Sequence, residues 1–268
     1  MNTGSTHAPA PNQAPQPLGV FDDPRYARLA LERATLYQGA EPFPHAVFDD
    51  FIDPCLAGAL SAAFPGPDDI GWIVRDNDNN RRRYQHDETL LPTPLRHMLR
   101  EMNSRQFLLF LETLTGISGL LPDPYFIGGG AHSSGPGDFL KVHADFNWHH
   151  KLQAHRRVNA LLYLPERWDE SWNGGLEFWD RDMTAPVVTT YPRFNRLVVF
   201  STSEHSNHGQ RLPNACPPDQ ARKVLNLYYY TTEREDEVAD PHFTAYKTEA
   251  SPFAVELGDA YRRTATGG

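Results

Sequence analysis

The sequence predicts an α+β fold: helices in the first 116 residues, flanking a β sandwich or barrel that begins near Tyr125. Three observations carry this expectation. Apolar residues recur at helical spacing up to Gly116. From Tyr125 onward, short apolar runs are separated by Gly128-Gly129-Gly130, Ser133-Ser134-Gly135-Pro136-Gly137, Trp172-Asn173-Gly174-Gly175 and Pro213-Asn214. Helices precede strands and do not alternate with them, so a parallel β-α-β arrangement is disfavoured. No internal repeat is visible.

Taken in order, residues 1–18 are rich in Pro, Ala, Asn and Gln. They are expected to form a disordered tail, because such sequence buries too little apolar area to offset ordering. A helix is expected over residues 23–37, capped by Asp22 or Asp23, with Pro24 in its first turn and Leu29, Leu31 and Leu36 on one side. A short strand over 42–51 carries Val47 and Phe48, and Asp53-Pro54 opens a helix to Ala63, ended by Pro65-Gly66-Pro67. Residues 66–92 are polar and read as irregular. One long helix is expected from the Thr93-Pro94 cap to Thr115, with Leu95, Met98, Leu99, Met102, Phe107 and Leu111 in the core and Gly116 as its stop. The β core is placed at 125–232. Residues 233–268 are polar, with isolated Phe243, Tyr246, Phe253 and Val255, and either pack over the core or act as a lid. Residues 19–268 are read as one domain.

Composition narrows the function classes. The chain has 268 residues, 40% of them apolar, a formal net charge of −9 and a pI near 5.7. That charge opposes general attraction to nucleic acid or an anionic membrane, so neither is expected as a partner. No run of 18 apolar residues exists, and the N-terminus lacks the basic and apolar stretches of a signal peptide. With only Cys55 and Cys216, the expectation is a cytoplasmic protein with free thiols. Gly128-Gly129-Gly130 lacks the G-x-x-x-x-G-K pattern and leads into strand-like sequence, so it is not read as a phosphate loop.

The chemistry centres on His143-Ala144-Asp145. In an extended strand, residues i and i+2 project to one face, so an imidazole and a carboxylate would stand side by side. Together they make two thirds of a 2-His-1-carboxylate facial triad, the open iron site of non-heme oxygenases. With 12 histidines and 34 acidic residues, the tripeptide alone carries little weight. The stretch after it adds more. An apolar strand, Leu197-Val198-Val199-Phe200, leads to His208-Gly209, and 14 residues on (222 − 208) Arg222 opens a second strand.

With these residues, the chain resembles the 2-oxoglutarate- and Fe(II)-dependent dioxygenases, in particular the branch similar to prolyl 4-hydroxylase. The matching stretches are residues 137–145 and 157–164, Gly174-Gly175-Leu176-Glu177-Phe178, Arg196-Leu197-Val198-Val199-Phe200, His208-Gly209 and Arg222. The resemblance implies a double-stranded β-helix, or jelly-roll, core. It implies Fe(II) held by His143, Asp145 and His208, and 2-oxoglutarate paired through its distal carboxylate with Arg222. O2 is the co-reactant and ascorbate a candidate reductant. The family often has Tyr where Leu140 stands and Ser where Val224 stands, so two cosubstrate contacts are lacking here. A carboxylate at 145 disfavours halogenation, since related halogenases have a small residue there.

Among the other histidines, His205 is the rival of His208, which matches the family's His-Gly pattern; His132 is a further neighbour. His149, His150 and His155 are read as loop surface. Asn159 and Tyr163 should share one strand face, which by the family pattern looks toward the site, and Asn226 a face with Arg222, making them candidates for cosubstrate contact. Asn147 and Trp148 are candidates for one rim of the substrate pocket, with core packing the alternative for Tyr163 and Trp148. Arg81, Arg82 and Arg83 are either solvated surface or a loop that grips a substrate carboxylate. The expected activity is hydroxylation of an unactivated C–H bond of a small molecule, an amino acid or derivative. The alternatives are a protein prolyl hydroxylase and a non-catalytic metal-binding sensor.

Overall fold

Asp23 accepts a hydrogen bond from the Arg25 amide and Pro24 occupies the first turn, and these two residues start helix α1 (Pro24–Gln38). The structure is a computed structural model and describes residues 19–234, 240–248 and 251–255. The expected N-terminal tail therefore lies outside the described residues, as does part of the C-terminal segment. The buried face of α1 is made by Tyr26, Ala30 and Tyr37. Leu31 and Leu36 are 68% and 64% exposed, which corrects the leucine face expected from the sequence. Tyr37 takes the core position because its hydroxyl finds a partner in Ser201 at 2.9 Å.

Strand β1 (His45–Phe48) comes next, then α2 (Pro54–Ala62), capped by Asp53, which accepts from the amides of Cys55 and Leu56. Residues 66–92, expected to be irregular, instead carry a hairpin of β2 (Ile73–Asp76) and β3 (Asn80–Gln85). Its turn is tied by Asn77, whose side chain accepts from the amides of Asn79 and Asn80. β3 is polar apart from Tyr84 and β2 offers only the adjacent pair Ile73-Val74, so no apolar alternation announced them. The long helix expected over 93–115 is two helices, α3 (Thr93–Met102) and α4 (Arg105–Thr115). The break falls where Ser104 caps α4 by accepting from the Phe107 amide. Gly116 ends α4 at φ 74°, a conformation that costs other residues energy. The core residues expected on this segment are buried.

From here the chain is β-rich: β4 (Leu121–Pro122), β5 (Gly130–Ser134), β6 (Phe139–Ala144), β7 (Trp148–His149) and β8 (Ala154–Tyr163), then β9 (Leu176–Trp179), β10 (Pro186–Thr190), β11 (Arg196–Ser201), β12 (His208–Gln210) and β13 (Arg222–Thr231). In the C-terminal segment, β14 (Ala245–Thr248) pairs with β15 (Ser251–Val255). The strands hydrogen-bond in the order β1-β11-β8-β13-β5-β3-β6-β12-β9-β10, all antiparallel, giving a nearly closed jelly-roll barrel. Strand β3 sits between β5 and β6, so the polar hairpin is part of the barrel wall. The sheet thus reaches beyond the 125–232 core expected from the sequence, taking in β1, β2, β3 and β14.

Alternation on β8 divides its two faces. Val158, Ala160, Leu162 and Leu164 join the cluster that includes Leu95, Leu99, Phe107 and Phe110 of the helices. Leu161 and Tyr163 belong to a second cluster with Phe178, Val198 and Phe200, inside the barrel. Each fully buried Leu or Phe in these layers contributes about 1.5–3 kcal/mol of transfer free energy. Helices on the outer face therefore fix the large sheet as a rigid plate, while its inner face carries Asn159, Arg222 and Asn226 beside that second cluster. Cys55 is exposed and Cys216 buried, both free thiols. No helix among the described residues is long and apolar enough to cross a membrane.

Candidate metal centre

His143 near the end of β6 and His208 at the start of β12 are directly opposite partners across the two strands. Gly209 permits this close pairing, because a Cβ there would stand 2.7 Å from the Val142 Cα and 2.9 Å from the Leu140 carbonyl oxygen. Asp145 lies just past β6 and turns its carboxylate between the imidazoles, with Oδ1 3.5 Å from His143 Nε2 and Oδ2 3.5 Å from His208 Nε2. One ligand atom from each of the three lies within 4.8 Å of the others. They are 4%, 8% and 5% exposed, in chain order.

Each imidazole is aimed by its other nitrogen. His143 Nδ1 lies 2.8 Å from the Lys141 carbonyl, and His208 Nδ1 lies 2.8 Å from the Ser206 carbonyl. A backbone acceptor at Nδ1 favours the proton there and leaves the Nε2 lone pair for a metal. Burial pushes His208 down to about 4, against the pull of Asp145, so its ring is neutral at neutral pH. Burial disfavours ionisation of Asp145, but Arg156 and the two histidines outweigh it and hold the carboxyl well below the usual carboxylate range. Two imidazole nitrogens and one carboxylate oxygen converging in a buried pocket form a donor set that suits Fe(II).

Around these residues lies a shell that the sequence reading placed only in part. Asn159 donates to Asp145 Oδ2 at 2.8 Å, so it touches the candidate ligand itself. Arg156 has no counterpart among the sequence-based candidates. It is 1% exposed, with one guanidinium nitrogen 3.0 Å from Asp145 Oδ2 and two donating to Asn159 Oδ1. Its guanidinium lies 3.4 Å from the Tyr228 ring centroid and 4.4 Å from that of Phe146.

The three candidate ligands open into a cavity of about 430 Å3. Arg222 lines it, donating from Nη2 to the Tyr163 hydroxyl at 2.6 Å, while its Nε is buried without a partner. Burial pushes the Tyr163 phenol up, so that partner is neutral. Asn226 lines the same wall, donates to the Tyr228 hydroxyl at 2.9 Å and leaves its Oδ1 unpartnered. Leu140 and Val224 also line the cavity and offer it only apolar surface.

The arginine run divides by strand alternation. Arg82 faces the cavity with Asn80 and Tyr84. Arg81 pairs with Asp76 at 2.9 Å and Arg83 approaches Asp138 at 3.9 Å, both outside the cavity lining. Arg75, directly opposite Arg82 in the hairpin, adds a guanidinium that the sequence did not single out. His132 lines the cavity as well, and burial, seconded by Arg82, holds it well below the usual imidazole range.

The remaining candidates lie elsewhere. The Arg181 guanidinium is 2.8 Å from His205 Nε2, and His205 is outside the ligand cluster. His149, expected at the surface, is 1% exposed, with Nε2 3.2 Å from Asp123 Oδ1 and Nδ1 accepting from the Leu152 amide. His150 is exposed, and His155 packs edge-on against Trp148 at 4.8 Å. Trp148 lines a smaller apolar cleft beside the cavity. Asn147 holds the C-terminal segment, accepting from the His242 amide at 2.9 Å and donating to the Asp240 carbonyl at 3.1 Å. The sequence left the role of that segment open. Its β14 pairs with β6 at Tyr246↔His143, and Phe243, Thr244 and Tyr246 form part of the cavity wall.

Residues 129–230 match the family model of the 2OG-Fe(II) oxygenase superfamily. No curated protein matches the chain. Solved structures with a similar fold include a Pseudomonas putida prolyl-4-hydroxylase (20% identity, 74% of this chain and 98% of that one, TM-score 0.51). A Trichoplax adhaerens prolyl hydroxylase in complex with a hypoxia inducible factor peptide fragment is also similar (17% identity, 77% and 90%, TM-score 0.52). So is Streptomyces hygroscopicus HygX with nickel, 2-oxoglutarate and hygromycin B bound (12% identity, 84% and 97%, TM-score 0.52). At these identities the likeness is one of fold. The matched segment contains His143, Asp145, His208 and Arg222, and that match together with the jelly-roll barrel around it supports a 2-oxoglutarate-dependent dioxygenase of the 2OG-Fe(II) oxygenase superfamily, with a prolyl hydroxylase-like fold.

Proposed function

We propose that the protein hydroxylates an unactivated C–H bond of a small molecule, an amino acid or a derivative of one, using 2-oxoglutarate and O2. The observation that carries this reading is the opening of the His143–Asp145–His208 cluster into one cavity that also holds Arg222. Its volume of about 430 Å3 falls among small-molecule sites. Arg75 at the hairpin supplies a cation for a substrate carboxylate, and the unpartnered Asn80 Oδ1 and Asn226 Oδ1 supply acceptors. The C-terminal segment narrows the opening, since the Tyr246 hydroxyl accepts from Asn80 Nδ2 at 2.7 Å.

His143, Asp145 and His208 would hold Fe(II), and bound iron would supply the redox chemistry that splits 2-oxoglutarate into succinate and CO2 and delivers one oxygen atom to the substrate. The chain's own residues position and shield. The Lys141 and Ser206 carbonyls keep both Nε2 lone pairs aimed inward, and Asn159 and Arg156 fix the rotamer of Asp145. Arg222, oriented by Tyr163, would pair with the distal carboxylate of 2-oxoglutarate. Phe146, Phe200, Tyr228 and Phe243 on the lining limit access of water. Ascorbate is proposed only as a reductant that keeps iron ferrous.

Hydroxylation of a protein prolyl residue is the rival, supported by the fold shared with prolyl hydroxylases. Succinate release measured over a panel of amino acids, N-acylated amino acids and prolyl peptides tests both, with the product's mass gain of one oxygen atom as the second readout. The proposal expects turnover with a small carboxylate-bearing compound. Turnover with prolyl peptides alone would transfer the function to the rival. Binding of Fe(II) and 2-oxoglutarate with no substrate-dependent succinate would leave a non-catalytic sensor.

A further inference from the structure

Strand β5 stands between two arginine-bearing strands. On one side Arg222 of β13 is the direct partner of Ser134. On the other, Arg83 of β3 pairs with Ser133, which brings Arg82 level with the same serine. Alternation turns Arg82 to the face that Arg222 uses: both line the cavity, and both line a small inner pocket bounded by Ser134, Leu140 and His132. The Nε of each is buried without a partner. Among the described residues, no carboxylate pairs with Arg82 or Arg222. Like charges facing one enclosed space destabilise each other unless an anion lies between them. His132, between them, is held neutral by burial and by both guanidiniums, so it adds no third positive charge and offers them no anion. Leu140 and Val224, on the same cavity lining, offer no side-chain donor.

We propose that Arg82 is a second guanidinium for the distal carboxylate of 2-oxoglutarate, closing on it from β3 while Arg222 closes from β13. This rests on the reading of the protein as a 2-oxoglutarate enzyme and adds to it a binding residue outside the matched segment of 129–230. The geometry also gives the β2–β3 hairpin a role: it brings into the barrel wall the donor that Leu140 and Val224 do not provide.

Calorimetric binding to the Ni(II)-loaded protein tests this without turnover. The two ligands are 2-oxoglutarate and 2-oxopentanoate, the same 2-oxo acid without a distal carboxylate. Arg82→Gln should weaken 2-oxoglutarate by roughly 10- to 100-fold and leave 2-oxopentanoate and Ni(II) affinity unchanged. Arg82→Lys, which keeps the charge, should recover part of the loss. Arg81→Gln, on the opposite face of the strand, should match the parent protein. Unchanged 2-oxoglutarate affinity in Arg82→Gln, with a selective loss in Arg222→Gln, would overturn the inference and leave the functional reading standing. An equal loss for both ligands would also overturn it, as the mark of a general distortion. If the parent protein binds 2-oxoglutarate no better than 2-oxopentanoate, the functional reading fails too.

Discussion

Replacing Arg156 by Met should destabilise the metal-free protein far more than the metal-loaded one. The side chain is 1% exposed, and its guanidinium lies 3.0 Å from Asp145 Oδ2 and over the rings of Tyr228 and Phe146. Removing one partner of a buried ion pair costs about 3–5 kcal/mol, because the remaining charge is left without compensation. In the metal-free variant, Asp145 keeps the Asn159 hydrogen bond but loses its buried cation. A divalent ion between Asp145, His143 and His208 would supply that charge, and the absent guanidinium would no longer repel it. The loss should therefore approach about 3–5 kcal/mol without metal and shrink on saturation with Ni(II). The sign with pH comes from Asp145, whose folded value is depressed. Its contribution is present above the ordinary carboxylate value and lost only as pH falls through the folded value. Without Arg156 that folded value rises, the loss begins at higher pH, and the variant can neutralise Asp145 on mild acidification. Denaturant unfolding of both proteins, with and without Ni(II), reads these quantities. An equal deficit in both metal states would refute the argument, by showing that Arg156 acts as packing and not as a charge.

His143→Ala, Asp145→Ala and His208→Ala should each abolish Ni(II) binding by calorimetry with the fold retained by circular dichroism, while His205→Ala should bind like the parent; the reverse for the two histidines would reassign the third ligand. Arg222→Ala should raise the KM for 2-oxoglutarate roughly 10- to 100-fold and leave metal affinity unchanged. Lys223→Ala should not, because Lys223 Nζ points the other way, toward the Ser61 carbonyl and Glu166. The C-terminal segment should be held most firmly at mildly acidic pH. His242 Nε2 lies 2.7 Å from Glu204, and although burial opposes it, that contact raises His242, while Glu204 is lowered by His242 against its own burial. The His242 contribution is lost as pH rises through its raised value, and the Glu204 contribution as pH falls through its lowered value. Amide protection factors across 245–247 should therefore peak between the two, and a pH-independent profile would sink the idea.

The parts of the molecule that were legible in the sequence rest on local chemistry. Asp23-Pro24 and Asp53-Pro54 announced their helices because capping is a local interaction. The alternation on β8 announced its two faces because pleating repeats every two residues. The gathering of the three candidate ligands was legible for a related reason: the spacing in His143-Ala144-Asp145 implies a shared face, and His208 was reached through a family pattern. The polar hairpin was not legible, since Arg81, Arg82, Arg83 and their partners on β2 bury little and show no apolar period. Only the barrel gives them a direction, by seating β3 between β5 and β6.

Arg156 shows where alternation misleads. Strict pleating from Asn159 would turn Arg157 inward and Arg156 outward. The pairing of β8 with β13 breaks that count, because Val158 faces Tyr229 while the next pair is Arg156 with Tyr230, so Arg157 is passed over. A bulge of this kind adds one residue to one strand and re-aims its neighbours. Arg157 instead reaches Thr231 at 3.1 Å, and Arg156 turns in onto Asp145. No single-strand pattern encodes that exchange, because it depends on where the partner strand skips. A buried arginine can therefore reach a candidate metal ligand by one unpaired residue, and the same shift explains why the two adjacent arginines have opposite fates.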